Sequence, residues 1–218
     1  MIITSIDIGI QHLGLVKVLV SPKLHVDRVM AIDLVDIQEF HPFGNAETCP
    51  LKHHDKCFSD WIEHCCVNFC EYFADDVDSI LIERQPPCGL VAVEQLLMNK
   101  YRDRVTLIHP KSVHNFFQCS DKNYEGRKIT MEREALKLIK NTTHHKKFER
   151  MERRHDIADA ICQMLCFLHK KRIQKHKEKM RKIRNENTQK ILNRKMPNSE
   201  MTLRDFFKKC EFKNDKLS

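Results

Sequence analysis

A chain of 218 residues, 41% of them hydrophobic and 31% charged, has enough apolar material for one α/β domain with a sizeable core and residues to spare for an extension. Its net charge of +8 makes a polyanion, nucleic acid before others, the first partner to consider. No apolar stretch approaches the roughly 20 residues of a membrane span, and no secretory leader is read in Met1 to Ile10, so the expectation is a soluble, intracellular protein.

Ile2 to Gly9 reads as a buried strand, rich in isoleucine and ended by a glycine. Leu13 to Val20 gives a second strand and Val26 to Phe40 a third. Short connections make an antiparallel meander of these three the economical pairing. His41 to Asp55 is a loop, marked by Pro42, Gly44, Asn45 and Pro50. Phe58, Trp61, Ile62, Cys65, Phe69 and Phe73 recur at helical spacing. Ser79 to Glu83 is a short apolar strand, stopped by Pro86 and Pro87. Leu90, Val93, Leu96, Leu97 and Tyr101 mark a second helix, and Val105 to Ile108 a fifth strand ended by Pro110. Ile129 to Ile139 and Ile157 to Leu168 are helical, the latter with a clear apolar stripe. From Lys170 to Lys195 only Glu178 and Glu186 oppose a run of basic residues. That segment fits a solvated helix, a disordered arm or a DNA-contacting element, and Leu203, Phe206 and Phe207 could dock its end onto the body.

The ten cysteines, in a reducing compartment, are read as small buried apolar residues and not as disulfides. Cys49, His53, His54, Cys57, His64, Cys65, Cys66 and Cys70 form a cluster that suggests zinc. Cys65 and Cys66 sit in an apolar helical pattern, however, and no paired C-x-x-C occurs. Core packing is therefore the preferred reading of this cluster.

Four acids stand out. Asp7 lies in an otherwise apolar strand, and Glu83 ends another; a charge in such a setting is costly unless it is paired or bound to a metal. The strand containing Glu83 follows a crossover helix, so it should run parallel to a strand already in the sheet. With the first strand as its neighbour, Asp7 and Glu83 face a common site. Asp156 and Asp159 are three apart on a helix and share a face. Singly, each acid could be a strand-end charge or a helix N-terminal acid. Together, in a basic protein, they suit two Mg²⁺ ions and phosphodiester hydrolysis. A lysine could add transition-state stabilisation; Lys111 and Lys128 are the candidates, and position alone does not decide between them.

The segments Ser5-Ile6-Asp7-Ile8-Gly9-Ile10-Gln11-His12-Leu13-Gly14, Ile82-Glu83-Arg84-Gln85-Pro86-Pro87 and His155-Asp156-Ile157-Ala158-Asp159-Ala160 resemble the RuvC-type Holliday junction resolvases of the RNase H-like superfamily, poxvirus members first and mitochondrial fungal ones next. The resemblance spans roughly residues 1–170. It implies an α/β fold, an RNase H-like mixed five-stranded sheet flanked by helices, leaving 171–218 as a basic, helical C-terminal extension. It also implies a homodimer making paired Mg²⁺-dependent nicks (Mn²⁺ able to substitute) in four-way and branched or concatemeric DNA. Asp7, Glu83, Asp156 and Asp159 become the metal ligands, and a basic residue ahead of the last acidic pair aligns with Lys128. The poxvirus likeness implies viral genome processing in the host cytoplasm.

Three rival readings remain. An actin-like or Hsp70-like ATPase shares Asp7-Ile8-Gly9 and Gly14, but five glycines cannot build its later phosphate loops. A non-catalytic nucleic-acid-binding module would not need the complete acidic set. A nuclease of the same superfamily acting on another substrate is the third. For the dimer, the helix from Leu90 to Tyr101 either forms the interface or merely packs on the sheet.

Overall fold

The structure, a computed structural model, describes residues 1–9, 11–39, 41, 47 and 49–195. The elements are β1 (Ile2–Ile8), β2 (His12–Val20), β3 (Val26–Asp36), α1 (Phe58–Asn68), a 3₁₀ turn (Cys70–Tyr72), β4 (Ser79–Glu83), α2 (Val91–Lys100), β5 (Val105–Ile108), α3 (Pro110–Phe116), α4 (Tyr124–Ile139), α5 (His145–Arg150) and α6 (Arg154–Lys195). The chain divides into two compact units, Met1–Arg172 and Ile173–Ser218. The first holds the sheet.

The five strands are ordered β3-β2-β1-β4-β5. β1, β2 and β3 form the expected antiparallel meander, and β4 joins β1 in parallel, followed by β5 parallel to β4. Central β1 is buried along nearly its whole length, which is why it reads as an apolar run and not as an alternating strand. Side chains still alternate between faces. Ile3 and Leu81 join the core that α6 covers through Ile157, Ala160, Ile161 and Met164. Ile6, Ile80 and Ile82 join the core on the other face, with Ile62 and Cys65 of α1 and Val93 and Leu97 of α2.

Cys65, Cys66, Cys119, Cys162 and Cys166 are buried, as expected of small apolar side chains, whereas Cys57, Cys70 and Cys88 are exposed and Cys49 is half-buried, against that expectation. Lys17 is buried too, and its ammonium donates to the Glu71 carbonyl at 2.6 Å and pairs with Asp76 at 3.2 Å.

Several boundaries differ from the sequence expectation. β3 stops at Asp36, where the Asp36 carboxylate accepts from the Gln38 backbone at 2.9 Å and turns the chain. The helix expected to reach Phe73 ends at Asn68 and re-forms as one 3₁₀ turn. α4 begins at Tyr124, five residues before Ile129, because the Asn123 side chain caps it by accepting from the Gly126 backbone. α3 and α5, of seven and six residues, were not anticipated. The basic run after Lys170 continues α6 as helix to Lys195, with Ile173, Met180, Ile183 and Ile191 exposed along it. Leu203, Phe206 and Phe207 lie outside the described residues.

Candidate active site

The alternation that buries Ile3 and Leu81 on the α6 face also sets Ser5, Asp7 and Glu83 on that face. Ile6 pairs with Ile82 in the parallel register, so Asp7 and Glu83 occupy the next step, at the carboxyl ends of adjacent strands. α6 begins beside them. Across β1 and β2, Asp7 is partnered by Gly14. A Cβ at Gly14 would lie 2.4 Å from the Asp156 carbonyl oxygen and 3.1 Å from the Ile157 nitrogen, well inside contact distance. The missing side chain is what lets the first turn of α6 rest on the sheet next to Asp7. Two turns further on, buried Gln163 donates to Ser5 Oγ at 3.1 Å and to the Ile6 carbonyl at 3.3 Å. The Gly14 approach and the Gln163 hydrogen bonds hold α6 to β2 and β1 on either side of Asp159.

Asp7, Glu83 and Asp159 line one small cavity of ≈ 60 Å³ with Val113, His114 and Gln163, room for a few water-sized species. Burial holds the Asp7 carboxyl well above the usual carboxylate range, and the charges of Asp159, Glu83 and Asp156 add to the shift. Glu83 is also raised, by burial; its hydrogen bond with Asp7 and the nearby His109 act in the opposite sense. Asp159 is pushed up to about 7, first by burial and then by Glu83 and Asp156. Asp156 is buried and paired, its Oδ2 2.9 Å from Arg153 Nε and its Oδ1 3.0 Å from His155 Nε2. Acids crowded this closely repel one another once ionised, and protonation or a bound cation removes the penalty. An all-oxygen donor set of this kind fits a hard divalent cation such as Mg²⁺.

The two candidate lysines fall in different settings. Lys128 is half-buried on α4, its ammonium 4.3 Å from the Tyr124 ring centroid, and its charge pulls the Asp159 pKa down. Lys111 is exposed in the first turn of α3.

Sequence reasoning missed three residues at the site. Gln163 lay in the apolar stripe of α6, and its seven-residue spacing from Asp156 was the available signal. His109 and His114 flank or lie on the unexpected α3. His114 is pushed to a lowered pKa by burial and by Arg127, so it faces the cavity as a neutral imidazole over a wider pH range. A larger open cleft of ≈ 850 Å³ adjoins Glu83, lined by Gln85, Pro86, Val91, Gln95 and His109 among others. Its floor is organised by buried Glu94, which accepts from the Gln85 backbone at 2.6 Å.

The mixed five-stranded sheet flanked by helices is the RNase H-like fold. Within it, the chain is similar to the Fowlpox virus Holliday junction resolvase. It matches the structure of that resolvase with substrate Holliday junction DNA at TM-score 0.55 and 14% identity, over 78% of this chain and 98% of that one. A second structure of the Fowlpox virus enzyme matches at TM-score 0.55 and 15% identity, over 78% and 99%. Thermus thermophilus RuvC matches at TM-score 0.47 and 16% identity, over 78% and 96%. No family profile matches the chain, and no curated protein matches it in sequence.

Proposed function

We propose that this chain is a divalent-metal-dependent endonuclease that cuts four-way and branched DNA. The observation that carries the proposal is the convergence of Asp7, Glu83 and Asp159 on one cavity, with all three carboxyls raised by burial and those of Asp7 and Asp159 raised further by the neighbouring acids. Asp156 adds a fourth negative charge to the same field. Asp7, Glu83, Asp156 and Asp159 would hold two Mg²⁺ ions, with Mn²⁺ able to substitute. When bound, such ions activate a water and neutralise charge on the phosphate.

The chain's own residues have distinct parts in this reading. The carboxylates stay ionised to hold the cations. Gln163 and Gly14 keep α6 at the height that brings Asp159 to the cavity. Lys128 stabilises charge developing on the phosphate, and its influence on Asp159 favours it over Lys111. Neutral His114 accepts or passes a proton at the cavity wall.

DNA is favoured as the polyanion by the net charge of +8. Branched DNA is favoured over other forms by the fold similarity to a resolvase solved with Holliday junction DNA. Paired nicks across a junction call for two copies of the site, hence a homodimer. The viral role and host-cytoplasmic location implied by the poxvirus likeness belong to this reading as well. Among the described residues no helix is long and apolar enough to cross a membrane.

The test is a substrate panel with Mg²⁺: a synthetic four-way junction, a flap, an RNA–DNA hybrid and linear duplex. Preferred cutting of the junction, with symmetric nicks, is expected. Preferred cutting of the hybrid or flap would move the protein to another RNase H-like activity. No cutting of any member would remove the nuclease reading.

A further inference from the structure

A second donor cluster lies away from the carboxylates. His41 and Cys49 on the connection between β3 and α1, His54 on the same connection, and His64 on α1 each offer one ligand atom, and these four atoms all lie within 4.8 Å of one another. In a tetrahedral zinc site, donor atoms stand roughly 3.3–3.6 Å apart, from the usual Zn–N and Zn–S lengths. Cys49 Sγ and His64 Nδ1 are already 3.5 Å apart. The three imidazole rings gather with centroids 4.6–5.2 Å from one another.

His64 is prepared as a ligand. It is 1% exposed, and its Nε2 lies 3.0 Å from the His53 backbone carbonyl oxygen. That bond requires the proton on Nε2, which leaves the Nδ1 lone pair pointing at Cys49. A carbonyl fixing the outer nitrogen of a ligating histidine is the usual support for a zinc ligand.

We infer that His41, Cys49, His54 and His64 form a structural zinc site that ties the β3–α1 connection to α1. Four protein donors fill a tetrahedral shell and leave no open position, the mark of a structural site and not a catalytic one. Three nitrogens and a sulfur favour zinc over Mg²⁺, which prefers oxygen. The site is separate from the carboxylates: α1 packs on the face of Ile6 and Ile82, whereas Asp7 and Glu83 lie on the α6 face. It stands independently of the nuclease reading.

The fold gives such an ion a task. Residues 37–57 join β3 to α1, a connection longer than ordinary loops tolerate without internal organisation. Its first residue is held by the Ile37 amide donating to the Gln11 carbonyl at 3.0 Å, beside the turn that follows Asp7's strand. Zinc would fix the far part of this loop as it leaves the edge that carries the active site.

The experiment is metal analysis of the full chain, purified without chelator and dialysed. About one zinc per chain is expected. The content should be unchanged in Asp7→Asn, which disables the carboxylate site, and lost in Cys49→Ala and in His54→Ala. Replacing the ion with Co²⁺ in the wild type should give the intense visible bands of a tetrahedral site together with a thiolate charge-transfer band, a readout that does not depend on any variant folding. Wild-type protein that takes up neither Zn²⁺ nor Co²⁺ would overturn the site. So would zinc that disappears in Asp7→Asn, or zinc retained in full by folded Cys49→Ala and His54→Ala.

Discussion

Asp159 is held at about 7, against an ordinary value of 3.8, and Asp7 and Glu83 are raised beside it. A raised carboxyl keeps its proton longer in the folded state than in the unfolded one. Between about pH 4 and pH 7 the folded chain therefore binds more protons, and stability contributed by this site falls as pH rises through that window. Without divalent cations, thermal denaturation should give a higher Tm near pH 5 than near pH 8. That difference should shrink in Asp159→Asn, and added Mg²⁺ should raise the Tm near pH 8 more than near pH 5. An Asp159→Asn variant with the same pH dependence as wild type would show that Asp159 is not raised. Lys128 acts on the same group in the opposite sense. Removing it in Lys128→Ala should shift the acid limb of a cleavage pH profile upward, whereas Lys111→Ala should leave the limb in place.

At the scale of elements, the site depends on how closely α6 approaches the sheet. Gly14→Ala inserts a methyl against the Asp156 carbonyl. We expect a loss of about 1–3 kcal/mol in denaturant unfolding, the usual cost of overpacking, with a larger proportional loss of cleavage because Asp159 is displaced from Asp7. Activity and stability unchanged in Gly14→Ala would mean that α6 can retreat without consequence. The same scale shows what the sequence could and could not disclose. All five strands were legible, since Ile2–Ile8 and Ser79–Glu83 are dense in isoleucine and bounded by glycine or proline. So were Asp7 and Glu83, because acids at the ends of such strands are conspicuous. α3 was not legible. Seven residues are too few for a period to emerge, and Pro110 reads equally as a strand stop and as the first residue of a helix. The His41, Cys49, His54 and His64 cluster was legible only in part. Its members sit mostly on an irregular loop, where spacing in sequence says little about spacing in space. Cys49, His54 and His64 belong to the group that suggests zinc in the sequence, but no C-x-x-C pair supports it and no spacing ties His41 to them. Cys65 and Cys66 are buried in the core, as that reading expects, and His64 is buried as well, whereas Cys49 is only half-buried and His54 is exposed.

For the whole molecule, paired nicking requires two sites acting on one junction. α2 buries Val93 and Leu97 inward, while Leu96 is only half-buried against the same core. If this helix forms the interface, sedimentation of Leu96→Asp should find a folded monomer where wild type is a dimer. An unfolded Leu96→Asp would assign the face to the core alone. Leu96 thus separates a role in assembly from a role in packing, as the sequence by itself could not.

The proposed function rests on the carboxylates of β1, β4 and α6 forming a metal-dependent nuclease site. The most direct measurement is cleavage of a synthetic four-way junction in Mg²⁺, comparing wild type with Asp7→Asn at equal, folded concentrations. The expected result is cutting by wild type that is abolished by chelation, with a loss in the variant larger than the roughly 10–100-fold cost of removing an outer-shell partner of a metal ligand. Asp7→Asn that cuts at the wild-type rate, or wild-type cutting that survives full removal of divalent metal, would contradict it.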